Sequence, residues 1–280
     1  MEYGLVFCGG GGRGAYQIGV WKTLEMFGLA RFVSAVSGTS VGALNAALFC
    51  SVSVYKAERI WSKISQRDIA DPFAAAGKVI GSIVDFARSD DRTINGARLG
   101  GALNSGLFSR EGLTELIESN GINTAVTKSP IPCFACLHNT AWNEAEYFDM
   151  RAYTPETVTD LLSASTAIPA AFAPVDIGGT LYRDGGLSDN VPVKPLYDIG
   201  LRRFIISYLG NEAVDKSKFP DAEFIELIPS ADIYLGERNT NILNSGTLDF
   251  SGENAAKRIA LGESESAAAL TMIGRLKGAT

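Results

Sequence analysis

Along the first fifty residues, short apolar runs alternate with glycine-rich turns and with stretches whose apolar positions recur every three or four residues. Tyr3 to Cys8 is a run fit for a buried strand, and Gly9-Gly10-Gly11-Gly12 follows it. From Gly14 onward, Tyr16, Val20, Leu24 and Phe27 are spaced by 4, 4 and 3, which predicts a helix with one apolar face. Gly28 then stands at a C-cap position. Phe32 to Val36 predicts a second strand, Ser37 to Ser40 a sharp turn, and Val41 to Phe49 an apolar helix. Two successive strand–helix units predict a parallel sheet covered by helices. Ile131–Leu137, Ala145–Asp149, Leu181–Arg183, Arg203–Tyr208 and Glu223–Ile228 read as further strands. Helices are predicted at Pro155–Ser163, with Thr154 as N-cap, and at Gly252–Leu276 after Ser251.

No internal repeat or low-complexity tract breaks this pattern, and 280 residues are near the upper size for one core, so residues 1–280 read as one domain. The stretch from Asp68 to Ser109 differs. It holds an amphipathic segment with Phe73, Ile80, Ile83 and Val84, then a polar, glycine-rich run from Arg88 to Gly106. A connection of that length reads either as a lid or binding loop or as a surface helix with a loop.

Charge narrows the partners. The net charge is −6 and no basic stripe is visible, which argues against a nucleic-acid partner. An acidic surface has no general attraction to anionic headgroups, so membrane contact would have to be apolar and local. The start Met1-Glu2-Tyr3 lacks a basic signal region, and no uncharged apolar run reaches the roughly 18–20 residues of a membrane span. The expectation is a cytoplasmic protein, at most peripheral at a membrane. Cys133 and Cys136 form a C-x-x-C, but residues three apart on a strand face opposite ways and cannot share a metal. Buried structural thiols are expected there.

The strongest chemical signal is Gly38-Thr39-Ser40-Val41-Gly42, a G-x-S-x-G between an apolar strand and an apolar helix. That setting presents a hydroxyl at a strained turn, beside backbone N–H groups of a helix start. Gly9-Gly10-Gly11-Gly12-Arg13-Gly14 offers amides that can converge on a developing oxyanion. It also satisfies G-x-G-x-x-G, the dinucleotide fingerprint. That rival reading needs an acidic residue near the end of the second strand, and no Asp or Glu lies between Met26 and Asn45.

A serine nucleophile needs a base. His138, the sole histidine, sits at a strand end where surface or capping roles prevail. The carboxylate candidate is Asp184, where Leu181-Tyr182-Arg183 runs into Asp184-Gly185-Gly186-Leu187-Ser188-Asp189-Asn190. Asp189 and Asp176 compete with it but lack the strand–Asp–Gly–Gly setting.

Together, GGGGRGAYQIGV, GTSVGALN and DGGLSDNVPV resemble the patatin-like phospholipases, and the Ser163–Pro169 run resembles the segment before that family's Asp motif. The resemblance covers about residues 3 to 195. It implies a three-layer α/β/α sandwich around a mostly parallel sheet. It also implies a Ser40–Asp184 dyad, an oxyanion hole from Gly10, Gly11, Gly12 and Arg13, and no metal or organic cofactor. The family pattern G-G-G-x-R-G has Gly12 at x, where alanine or another residue is usual. The implied activity is a lipid acyl hydrolase of phospholipase A or lysophospholipase type. An acyltransferase or thioesterase with the same dyad, or a nucleotide binder using the glycine loop, are the alternatives.

Overall fold

The structure is a computed structural model that describes residues 2–64, 110–169, 171–236, 246–247 and 249–278. The stretch 68–109 read above as a lid or loop lies outside the described residues.

The chain builds one eight-stranded sheet, in the order β5-β6-β3-β2-β1-β7-β8, with β4 on the remaining edge of β3. The strands are β1 (Tyr3–Phe7), β2 (Val33–Thr39), β3 (Cys133–Asn139), β4 (Glu144–Asp149), β5 (Val175–Ile177), β6 (Thr180–Asp184), β7 (Arg203–Ser207) and β8 (Glu223–Leu227). From β3 through β2, β1 and β7 to β8 every pairing is parallel. The pairings that bring in β4, β5 and β6 are antiparallel. The mostly parallel sheet expected from the sequence is thus present, with antiparallel strands grouped on one side.

The two-residue period of β1 shows the layering. Leu5 and Phe7 enter the larger core with α1 (Ala15–Met26), α2 (Val41–Ser51) and α3 (Val54–Lys63). Val6 and Cys8 enter a second core with Ala35, Phe204 and Leu196 of α7 (Lys194–Asp198). A strand buried on both faces is why Tyr3–Cys8 is apolar without alternation. The layers are unequal. The larger face also takes α4 (Glu111–Ser119), α5 (Ile122–Val126) and α6 (Pro155–Ser165), whereas five-residue α7 and the chain around Phe219 cover the other. The last helix, α8 (Gly252–Gly278), lies along α1, tied to it by Lys22 with Glu263. Among the described residues no helix is long and apolar enough to cross a membrane.

Several expected boundaries move. β2 continues through Ser37, Gly38 and Thr39, which the sequence placed in a turn. Its backbone is paired on both edges there, Gly38 with Phe7 and Thr39 with Cys136, and this outweighs the low strand preference of glycine and serine. A 3-10 turn over Gly11–Gly14 precedes α1, which starts at Ala15 rather than Gly14. Phe27 becomes the exposed C-cap residue of α1 rather than part of its buried face. α1 itself is buried nearly all round, because α8 covers the side away from the sheet. The thiols of Cys133 and Cys136 are free and buried. Cys133 sits in the larger core while the Cys136 thiol reaches the Asp189 carbonyl, and burial pushes both thiols up from their ordinary pKa.

Candidate active site

The site forms where two strands meet end to end. Along one edge of β3, Cys133–Cys136 pairs with β2 and Leu137–Asn139 pairs with β6, while β4 occupies the opposite edge. β2 runs parallel to β3 and ends at Thr39 opposite Cys136; β6 runs the other way and ends at Asp184 opposite Leu137. The residue after β2 is Ser40. Two strands pointing at each other along one neighbour therefore deliver a serine and a carboxylate to the same point. Ser40 Oγ donates to Asp184 Oδ2 at 2.7 Å, and both residues are buried.

Ser40 has φ 56° and ψ −130°, a backbone conformation that costs a non-glycine residue about 1–3 kcal/mol. Surrounding contacts hold it there. Its N–H donates to Ser165 Oγ at 2.9 Å, and that hydroxyl donates to the Cys136 carbonyl at 2.8 Å. Its carbonyl opens α2 by accepting the Ala43 N–H. The loop after β6 is fastened to β2 by two hydroxyls, Ser37 Oγ to the Pro192 carbonyl and Thr39 Oγ1 to the Asp189 carbonyl.

Asp184 Oδ1 accepts the Gly186 N–H at 2.8 Å. Burial raises the carboxyl pKa to about 6, against the pull of the hydrogen bonds from Ser40 and Gly186. The competing carboxylates have other partners. Asp189 accepts from Tyr147 and from the Val191 N–H, and Asp176 accepts the Gly179 N–H in an exposed turn. His138 is bonded through Nδ1 to Ser188 Oγ at 2.5 Å and not to Ser40. Burial and the neighbouring Arg183 lower its pKa, so the ring is neutral at pH 7.

The glycine loop lies across the same cleft, with Gly10, Gly11, Ser40 and Asp184 all lining it. Of the four amides expected to form an oxyanion hole, two are already engaged. Gly12 N–H donates to the Thr247 carbonyl at 2.9 Å, and Arg13 N–H closes a turn on the Gly10 carbonyl at 3.3 Å. Gly11 has φ +58°, and a Cβ there would lie 1.9 Å from the Thr247 carbonyl oxygen. Four further side chains hold the loop. Asn190 Oδ1 accepts the Gly9 N–H while its Nδ2 reaches the Gly9 carbonyl and Glu212. Gln17 Nε2 donates to the carbonyls of Cys8 and Ser207, and Asn45 joins Gln17 to the Gly14 carbonyl and Trp61. Fully buried Arg258 donates to the Gly12 and Asp249 carbonyls and pairs with the Asp249 carboxylate. Asn190 stands inside the DGGLSDN motif, and that position was its only signal in the sequence. Gln17 and Asn45 likewise stand inside the quoted GGGGRGAYQIGV and GTSVGALN runs, and Arg258 carried no signal.

Beside Ser40 a mainly apolar recess is lined by Val41, Leu44, Leu113, Ile168, Phe172 and Phe250, with Arg110 and Thr166 also in its wall. Ser40 thus borders both the cleft with Asp184, Asn190 and Glu212 and the mainly apolar recess.

Strand order and layering put the chain in the class of α/β/α folds with a mostly parallel sheet. Human GIVD cytosolic phospholipase A2, solved with methyl gamma-linolenyl fluorophosphonate, shares the fold, with a TM-score of 0.50 and 10% identity, covering 99% of this chain and 59% of that one. Within that class, residues 5–197 match the model of the patatin-like phospholipase family, and the chain belongs to it. It is 24% identical over 211 residues to lysophospholipase NTE1 of Cryptococcus neoformans, covering 75% of this chain and 11% of that protein. Against the rat patatin-like phospholipase domain-containing protein 7 it is 24% identical over 222 residues, 78% of this chain and 14% of the relative. The chain thus spans about a tenth of the length of these curated relatives.

Proposed function

We propose that the protein is a lipid acyl hydrolase that cleaves carboxylic esters of phospholipids or lysophospholipids, with Ser40 as nucleophile and Asp184 as base. The observation that carries this reading is the 2.7 Å hydrogen bond from Ser40 Oγ to Asp184 Oδ2 in a buried site. Asp184 takes the Ser40 proton as Oγ attacks the ester carbonyl; the proton passes to the departing alcohol, leaving an acyl-serine. Asp184 then takes a proton from water, whose oxygen attacks the acyl carbonyl, and Ser40 leaves with that proton as the fatty acid forms. The engagement of Gly12 and Arg13 favours Gly10 and Gly11 N–H as oxyanion donors, each worth about 3–4 kcal/mol of barrier by analogy with measured donor deletions. The apolar recess suits the acyl chain and the polar cleft the leaving alcohol. The names of the family and of its relatives support a lipid substrate.

The test is labelling with a fluorophosphonate, followed by mass spectrometry of the modified peptide. Label on Ser40, lost in Ser40→Ala and Asp184→Asn but kept in His138→Ala, is the expected result. No label on Ser40 in folded wild-type protein would overturn the reading.

Two further outcomes are expected. The base must be ionised to accept a proton, so kcat/KM falls tenfold per pH unit below about pH 6, where Asp184 protonates, and levels off above it. A pH–rate profile on a neutral water-soluble ester checks this, and a profile flat down to pH 4 would exclude Asp184 as the base. Asn190→Ala unclasps Gly9 and lets the loop drift, so kcat drops by roughly 10- to 100-fold at nearly constant KM. Steady-state kinetics decide this, and a loss confined to KM would assign Asn190 to substrate binding.

A further inference from the structure

β3 does not stop where the site is. It continues from Cys136, opposite the end of β2, to Asn139 and turns into β4 through Thr140–Asn143. That extension carries the hairpin roughly 10 Å beyond the register of Thr39, at the end of the sheet where Ser40 emerges. The hairpin tip is Trp142, 75% exposed, whereas the other two tryptophans, Trp21 and Trp61, are 2% and 1% exposed.

This tip is built rigidly. Buried Asn139 accepts the N–H groups of both Ala141 and Trp142 on Oδ1 and donates through Nδ2 to Glu146. Asn143, at φ 56°, returns its N–H to the Asn139 carbonyl. Thr140 donates through both N–H and Oγ1 to the Leu181 carbonyl, fastening the tip to β6. Leu181 beside it is 46% exposed, and Leu187, which lines the cleft with Ser40, is 51% exposed. A fixed turn presenting a bare indole on the substrate side has the anatomy of an interfacial anchor, because an indole places its ring in the apolar region and its N–H in the wet one.

Charge selects the surface. From Ser129 to Met150 there is no lysine or arginine, and Glu144, Glu146 and Asp149 are the charged residues. Asp149 pairs with Arg151 and β6 sets Arg183 opposite His138, so the hairpin carries no positive excess to select anionic lipid, and the occupant is an electrically neutral lipid interface.

We infer that the Trp142 hairpin, with Leu181 and Leu187, docks the protein on a zwitterionic lipid surface and sets the Ser40 cleft against it. The inference rests on the lipid-hydrolase reading for its orientation, but the docking is measurable without catalysis.

The experiment mixes the Ser40→Ala protein with phosphatidylcholine vesicles, with and without phosphatidylglycerol. Because Trp142 alone is solvent-exposed, docking shifts the emission to the blue, and bromine on the acyl chains quenches it. Sedimentation with vesicles is expected to show at least about tenfold weaker binding for Trp142→Ala, given the apolar area an indole buries. Tyr55→Ala, at the opposite end of the sheet and 71% exposed, leaves binding unchanged. On an active background, Trp142→Ala loses rate on vesicles and keeps it on a monomeric soluble ester. Vesicle binding equal in Trp142→Ala and its parent would overturn the inference. So would binding that requires phosphatidylglycerol, or a blue shift that follows protein concentration without lipid. Soluble-ester hydrolysis that depends on Ser40 would still uphold the enzymatic reading in each of those cases. Docking without any Ser40-dependent hydrolysis would sink the enzymatic reading alone.

Discussion

From the proposed dyad, Ser40→Ala is expected to lower kcat by about 10⁴-fold or more on any ester the wild-type protein hydrolyses, and Asp184→Asn nearly as much. The two losses do not add, because the hydroxyl and the carboxylate act as one unit through a single hydrogen bond. The variants differ in stability. Asp184 has a folded-state pKa of about 6, above the value of an unfolded aspartate, so the folded state favours the protonated form. The stability associated with that proton is present below about pH 4 and is lost as pH rises through 6. An asparagine keeps the acceptor for Gly186 and removes the buried charge. Asp184→Asn is therefore expected to melt higher than wild type above pH 6, by up to about 3 kcal/mol, and to match it at pH 4. Thermal melts at the two pH values check this. Equal melting at pH 8 would mean that the ionised carboxylate is already compensated by its surroundings.

Gly42→Ala is expected to prevent folding or to cost about 3 kcal/mol or more. A Cβ at Gly42 would lie 2.1 Å from the Phe7 carbonyl oxygen, and one at Gly38 would lie 2.1 Å from the Gly42 carbonyl oxygen. Both obstacles are backbone, which cannot rotate away as a side chain does. Relief requires α2 to move off β1 and β2, which would carry Ser40 away from Asp184. For a variant that still folds, a melting temperature lower by roughly 6–12 °C is the expected reading. Gly274→Ala on α8 is the control, since nothing lies within 4 Å of that position, and it should leave the melt unchanged or slightly higher, because alanine favours a helix over glycine. A wild-type melt for Gly42→Ala would show that helix and sheet can separate there without penalty.

The serine elbow and the Asp-Gly-Gly turn were legible in the sequence because each is local. A few adjacent residues specify the turn, and the apolar run before it specifies the strand. What the sequence did not display is why the two meet. That depends on β2 and β6 sharing one edge of β3, a pairing between segments far apart in the chain. The same reason explains the oxyanion loop. Six glycine-loop residues are visible in a row, but the amides of Gly9 and Gly12 are taken by Asn190 and Thr247, both from the C-terminal half. Ser37–Thr39 looked like a turn because its side chains are small, and became strand because both neighbours were in place. Helix α1 read as amphipathic, yet α8 covers its outer side, which no pattern inside α1 could reveal.

The separation in sequence between the partners of the site has a consequence for biogenesis. Ser40 and Asp184 are 144 positions apart, Gly9 and Asn190 are 181 apart, and Gly12 and Arg258 are 246 apart. Each of these closures must wait for the later partner to leave the ribosome, and non-local contacts of this kind form slowly. A nascent chain carries its elbow early but has no carboxylate partner for Ser40 until β6 emerges and no Arg258 clamp on the glycine loop until α8 follows. In the proposed mechanism, nucleophile, base and oxyanion loop are therefore brought together only after β6 and α8 have both emerged.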